Sequence, residues 1–152
     1  MKPRMNIFQV APEGTKGMIA VEAAIEKSGL EHGLAELVKL RASQINGCGY
    51  CIYMHAKDAV KHGETDMRIH LLNAWRESPL FTARERAALN WTERLTRIAD
   101  TGAPDEDYEL LKGHFNETEI AYLTLLIGAI NVWNRVQVGL RWIHPVEGGK
   151  AA

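Results

Sequence analysis

The sequence predicts an all-α fold, a single-domain bundle of about six to seven helices. Three observations carry that expectation. No stretch alternates apolar and polar residues for more than about three or four positions. Apolar side chains recur instead at three- and four-residue intervals, which is helical spacing. The connections are short and marked by Gly, Asn, Thr or Pro, which favours antiparallel helix neighbours.

Each element has its own signal. A first helix is expected from about Thr15 to Ser28, with Met18, Val21, Ala24 and Ile25 on one face and Gly29 as its C-cap. A second runs from about Leu34 to Ile45, turning Leu34, Leu37, Val38 and Ile45 inward, until Asn46-Gly47 stops it. The third begins near Cys48 and reaches Lys61 or His62, closed by Gly63. Thr65 starts a short fourth helix ending at Trp75 or Arg76. Thr82 and Glu85 have capping-box spacing and open a helix to about Ala99, striped by Ala88, Trp91, Leu95 and Ile98. Pro104, at a first helical position, begins a short helix to Lys112. Asn116, with Glu119 three residues on, opens the last and longest helix, to about Trp142.

At 152 residues the chain is read as one domain, 1–152, able to bury a core without staples. A formal charge of −1 gives no reason to expect nucleic acid or an anionic membrane as partner. The most apolar stretch, Ile120 to Trp133, has about fourteen residues where a membrane span wants roughly eighteen, so it reads as a core helix. Met1 to Met5 carry two cations but lead into no apolar region of the secretory kind, so the expected location is cytoplasmic. Thiols are kept reduced there, and a cysteine pair is then more often catalytic or metal-binding than structural. Gly47-Cys48-Gly49 is too short and wrongly placed for a phosphate-binding loop, and no organic cofactor is expected.

Cys48 and Cys51 are the only two cysteines. The Asn46-Gly47 break puts Cys48 at or next to a helix N-cap and Cys51 in the first turn. Free N–H groups and the helix dipole there lower a thiol pKa from its usual value of roughly 8.5. Three positions apart on a helix, the two Cα atoms lie about 5 Å apart, a separation that a disulfide accepts. His55 falls one turn after Cys51 on the same face, where it can take the thiol's proton or stabilise the thiolate. Glu36, on the preceding helix, is the natural partner for that imidazole if the Gly47 turn folds the two helices together. Spacing alone leaves open which thiol attacks; the register of His55 favours Cys51.

Glu36-x11-Cys48-Gly-Tyr-Cys51-x3-His55 resembles the E-x11-C-x-x-C-x3-H pattern of the AhpD-like alkylhydroperoxidases, within the carboxymuconolactone decarboxylase superfamily. The motif spans about twenty residues, and the helical layout from about Leu34 to Trp91 fits the family core. The resemblance implies an all-α, AhpD-like domain assembling as a homo-oligomer, a trimer or hexamer. It also implies a peroxidatic role for Cys51 and a resolving role for Cys48, with His55 and Glu36 as the proton relay. The substrate would be a hydroperoxide or a disulfide, and an external thiol or dithiol would regenerate the enzyme. Well-known members carry a histidine just before the second cysteine; Tyr50 stands there in this chain and reads as a packing or lid residue.

Two other readings compete. Cys48, Cys51 and His55 could supply three ligands of a structural zinc site in a helical assembly protein, with Glu36 or a distant histidine as fourth. A carboxymuconolactone decarboxylase-like lyase would need neither thiol. Elsewhere, Arg84, Arg86, Arg94 and Arg97 read as a solvated helix face. Tyr122, Leu126, Ile130 and Trp133 read as core or subunit interface. Asn131 and Asn134 interrupt the last apolar run where a polar group needs a partner.

Overall fold

The computed structural model describes residues 2–146; Met1 and residues 147–152 of the expected 1–152 domain lie outside the described residues. Among the described residues there are nine α-helices, one 3-10 turn and no strand. They are α1 (Ile7–Val10), α2 (Pro12–Glu26), α3 (His32–Asn46), α4 (Gly49–Lys61), α5 (Asp66–Leu71) with a 3-10 turn at Leu72–Ala74, α6 (Ala83–Thr96), α7 (Ile98–Thr101), α8 (Asp105–Lys112) and α9 (Glu117–Gly139). All seven expected segments are present, and α1 and α7 are additions to them.

The additions have local causes. Asn6 caps α1, its side chain accepting the Phe8 N–H at 3.0 Å. Pro12, its φ already helical, starts α2 three residues ahead of Thr15. The helix opened by the Thr82–Glu85 capping box breaks at Arg97, so its apolar stripe ends at Leu95 and Ile98 is 56% exposed. Pro104 is the N-cap of α8, not its first residue, and Asp105, Glu106 and Asp107 fill the first turn, where the helix dipole favours them. The last helix ends at Gly139, short of Trp142. Arg141 then takes a left-handed conformation (φ 55°), and the Trp142 N–H returns to the Gln137 carbonyl at 2.9 Å.

α3 is the central helix, packed against α4, α6 and α9. Its Leu34 and Val38, one turn apart, enter a core with Trp91, Leu123 and Ile127. On another face Leu37 and Leu40 pack with Leu72, Trp75, Phe81 and Leu89. Gly47, at φ 66°, closes α3 in the left-handed conformation that glycine adopts without penalty, and its N–H reaches the carbonyls of Ser43 and Gln44. The chain then turns back so that α4 runs along α3.

Asn131 and Asn134 find their partners on α3. Asn46 Nδ2 donates to Asn131 Oδ1 at 2.9 Å and to Asn134 Oδ1 at 2.8 Å, and Asn134 Nδ2 donates to Ser43 Oγ at 3.0 Å. This polar seam clamps α9 to the end of α3, immediately before the cysteines. The arginines expected on a solvated face mostly hold helices together instead. Arg84 bridges Glu31 and Glu119, Arg86 donates to the carbonyls of Trp75, Arg76 and Ser78, and Arg94 pairs with Asp107.

Glu93 joins α3, α6 and the segment after the 3-10 turn. It accepts from buried Arg41 at 2.8 Å, from Trp75 Nε1 at 2.9 Å and from Arg76 at 2.8 Å. Burial raises the pKa of this carboxyl, but those three donors outweigh it and hold the group below its usual 4.5. A depressed folded-state pKa contributes stability that is present above 4.5 and lost as pH falls through the lower folded value. Glu93→Gln is therefore expected to cost about 2–4 kcal/mol at pH 7, because Arg41 is left buried without its counter-charge. The cost should shrink as the pH is lowered below 4.5, as urea titrations of both proteins would measure.

Candidate active site

The site begins where α3 ends. Cys48 is the N-cap of α4, and its Sγ accepts the Cys51 N–H at 3.3 Å, a position in which thiolate character is favoured. Cys48 and Cys51 are joined as a disulfide with Cα atoms 5.3 Å apart, and each is only 1% exposed.

His55 lies one turn beyond Cys51 on α4 and is buried. Its Nδ1 lies 2.8 Å from Glu36 Oε2 across the α3–α4 packing. The other oxygen, Glu36 Oε1, accepts from Lys39 Nζ at 2.9 Å. Burial of Glu36 favours the neutral acid, but the His55 hydrogen bond and the Lys39 charge prevail and hold its pKa below the ordinary value. Glu36 thus remains a carboxylate at neutral pH, able to accept from an imidazole N–H and to stabilise an imidazolium.

Two clefts reach the cysteines from different sides. One, of about 350 Å³, contains Glu36, His55 and Cys51 but not Cys48, and its apolar wall includes Phe8, Ile130, Trp133 and Trp142. The second, of about 480 Å³, contains Cys48, Gly47, Gly49, Arg141 and His144 but not Cys51. Tyr50, Gln137 and Trp142 line both, so they form the partition. Phe8 stacks on Trp133 with centroids 6.2 Å apart and meets the edge of Trp142 at 6.0 Å; Tyr50 meets Trp142 edge-on at 6.3 Å. Arg4 fastens this cover to the end of α9 through the carbonyls of Gly139 and Leu140.

A zinc site built on Cys48, Cys51 and His55 is not assembled, since the two sulfurs are bonded to each other. Among the described residues a cation could be held by Glu36, His55 and Asp58, whose ligand atoms lie within 4.8 Å of one another. Lys39 already engages Glu36 there, and neither cysteine belongs to the group.

Residues 12–94 match the sequence signature of the carboxymuconolactone decarboxylase (CMD) family. The chain belongs to the carboxymuconolactone decarboxylase family. Its fold is that of the AhpD-like members. ATU0492 of Agrobacterium tumefaciens, a protein of unknown function proposed as an antioxidant defence protein AhpD, superposes with a TM-score of 0.93 at 49% identity, covering 96% of this chain and 100% of that one. An uncharacterised peroxidase-related protein from Silicibacter sp. TM1040 superposes at 0.79 with 26% identity, over 89% of this chain and 72% of that one. The uncharacterised protein YdfG of Bacillus subtilis (strain 168) is 40% identical over 92% of this chain and 95% of its own length.

The four residues singled out in the AhpD-like motif, Glu36, Cys48, Cys51 and His55, come together in the structure. Lys39 escaped notice although it sits three residues from Glu36, a helical neighbour spacing that could have revealed it. Ile130, read as core or interface, is buried at 2% exposure and also borders the cleft, which Trp133 lines as well. Phe8, Gln137 and Trp142 gave no local signal, because only the folding of both chain ends over α4 brings them to the dithiol.

Proposed function

We propose that this CMD-family protein is a thiol-dependent peroxidase and disulfide oxidoreductase, in which a Cys48–Cys51 dithiol activated by His55 and Glu36 reduces hydroperoxides. The observation that carries the reading is that the cleft holding the Glu36–His55 pair opens on Cys51 alone. His55, backed by the Glu36 carboxylate, takes the proton of Cys51. The thiolate attacks the terminal oxygen of the hydroperoxide, the O–O bond breaks, and the departing alkoxide takes a proton from the imidazolium. The products are an alcohol and Cys51 sulfenic acid. Cys48 then condenses with the sulfenic acid, releasing water and forming the disulfide seen in the structure.

Regeneration uses the second cleft. An external thiolate attacks Cys48 there, and Cys51 leaves as a thiolate beside His55. A second thiol resolves the mixed disulfide, so one disulfide is reduced and the reductant is oxidised by two electrons. The reductant requirement supports a reducing, cytoplasmic setting, and membership of the family is the ground for expecting a trimer or hexamer. No helix among the described residues is long and apolar enough to cross a membrane.

The test is consumption of cumene hydroperoxide by catalytic amounts of protein with dithiothreitol as reductant. Turnover that disappears when both cysteines are replaced supports the reading, and no turnover above the dithiothreitol background contradicts it. The family's name favours a second reading, a lyase acting on a carboxylated muconolactone. It predicts lactone turnover undiminished in the Cys48→Ser/Cys51→Ser protein.

A further inference from the structure

Gln137 sits near the end of α9, is 7% exposed, and lines the cleft that contains Cys51. Its side-chain Oε1 is buried without a hydrogen-bond partner among the described residues. Buried polar atoms are almost always paired, because an unmet acceptor forfeits its water without compensation. The neighbouring asparagines of the same helix, Asn131 and Asn134, are both satisfied by Asn46 of α3. Gln137 is therefore an exception on an otherwise satisfied helix, and it stands in the partition between the two clefts, bordering the one that contains Cys51.

The surroundings state what would meet it. The cleft wall offers Phe8, Ile130, Trp133 and Trp142, which suit an apolar, ring-sized body. An unpaired carbonyl oxygen among them selects a ligand carrying an O–H on such a body. We propose that Gln137 is a positioning residue that accepts a hydrogen bond from the O–H of an aromatic organic hydroperoxide and of its alcohol product. This rests on the peroxidase reading and adds to it. The hydroperoxyl proton points to Gln137, the aromatic body lies among the tryptophans, and the terminal oxygen is presented to Cys51.

The assignment has an unusual signature, because removing the group should help folding while it harms turnover. In Gln137→Met, a side chain of similar length without the unmet polar atoms, kcat/KM for cumene hydroperoxide should fall about five- to tenfold. The melting temperature of the free protein should rise. A merely structural role would lower both. A second arm needs no turnover. Cumyl alcohol and its methyl ether, which lacks the O–H, are titrated into the oxidised protein while tryptophan fluorescence is read. Wild type should bind the alcohol several-fold more tightly than the ether, and Gln137→Met should bind them equally. Equal binding of the two by wild type overturns the proposal even if the variant fails to fold, and so does a variant kcat/KM within twofold of wild type. A wild type that discriminates the two ligands yet turns over no hydroperoxide would instead refute the peroxidase reading and leave the Gln137 hydrogen bond standing as ligand recognition.

Discussion

Cys51→Ser is expected to abolish hydroperoxide reduction, lowering the rate at least about 10³-fold, whereas Cys48→Ser should retain the first chemical step and lose the second. The asymmetry follows from the two clefts: Cys51 shares one with His55 and Glu36, and Cys48 opens into the other. A serine hydroxyl is almost wholly protonated at neutral pH, so neither the helix N-terminus nor the imidazole can make it a competent nucleophile. In Cys48→Ser the sulfenic acid on Cys51 has no internal thiol to condense with. It should be trapped stoichiometrically by dimedone, and with excess peroxide should advance to the sulfinic acid. Dimedone labelling followed by peptide mass analysis distinguishes the residues. A label on Cys48 in the Cys51→Ser protein, formed at the wild-type rate, would reverse the assignment.

Glu36→Gln is the second large effect, with single-turnover oxidation of the reduced protein slowed by about 10²-fold or more. The carboxylate lies between His55, at 2.8 Å, and Lys39, at 2.9 Å. Glutamine can keep one hydrogen bond to the imidazole, but it cannot stabilise the imidazolium that the proposed mechanism forms when His55 takes the Cys51 proton. Burial magnifies the loss, since Glu36 is only 8% exposed and solvent cannot replace the missing charge. Glu36 is held ionised below its ordinary pKa, so through neutral pH the wild-type rate owes none of its pH dependence to protonation of this carboxyl. Stopped-flow tryptophan fluorescence gives the rate, and Glu36→Asp should recover part of it. A Glu36→Gln rate within threefold of wild type would remove this residue from the relay.

The parts of this site that the sequence discloses are those set by one or two helical turns. Asn46-Gly47 marks the end of α3, so Cys48 falls at an N-cap and Cys51 in the first turn, and His55 follows in register one turn later. Glu36 is one step further removed. Its meeting with His55 needs only that α4 fold back along α3, which a left-handed Gly47 provides. The capping boxes at Thr82–Glu85 and Asn116–Glu119 were legible for the same reason, each being complete within four residues.

What stayed hidden depends on contacts between distant segments. Phe8 meets Trp142 where Arg4 joins the segment before α1 to Gly139 and Leu140, more than a hundred positions away. No periodicity records that. Arg84 and Arg86 have the spacing of an exposed helix face, yet they reach across to Glu31, Glu119 and the carbonyls after the 3-10 turn. A long cationic side chain reads the same in sequence whether it ends in water or on a neighbouring helix. Gln137 is hidden for a related reason: one glutamine on a long helix is unremarkable until its surroundings are seen to leave it unpaired.

The most direct test of the account is an intact-mass titration of the fully reduced protein with one equivalent of cumene hydroperoxide. The dithiol mechanism predicts loss of about two mass units per chain as two thiol hydrogens leave and the Cys48–Cys51 bond closes, with one equivalent of cumyl alcohol released. A protein that keeps its reduced mass while the hydroperoxide survives would contradict the account and return the fold to its family without this chemistry.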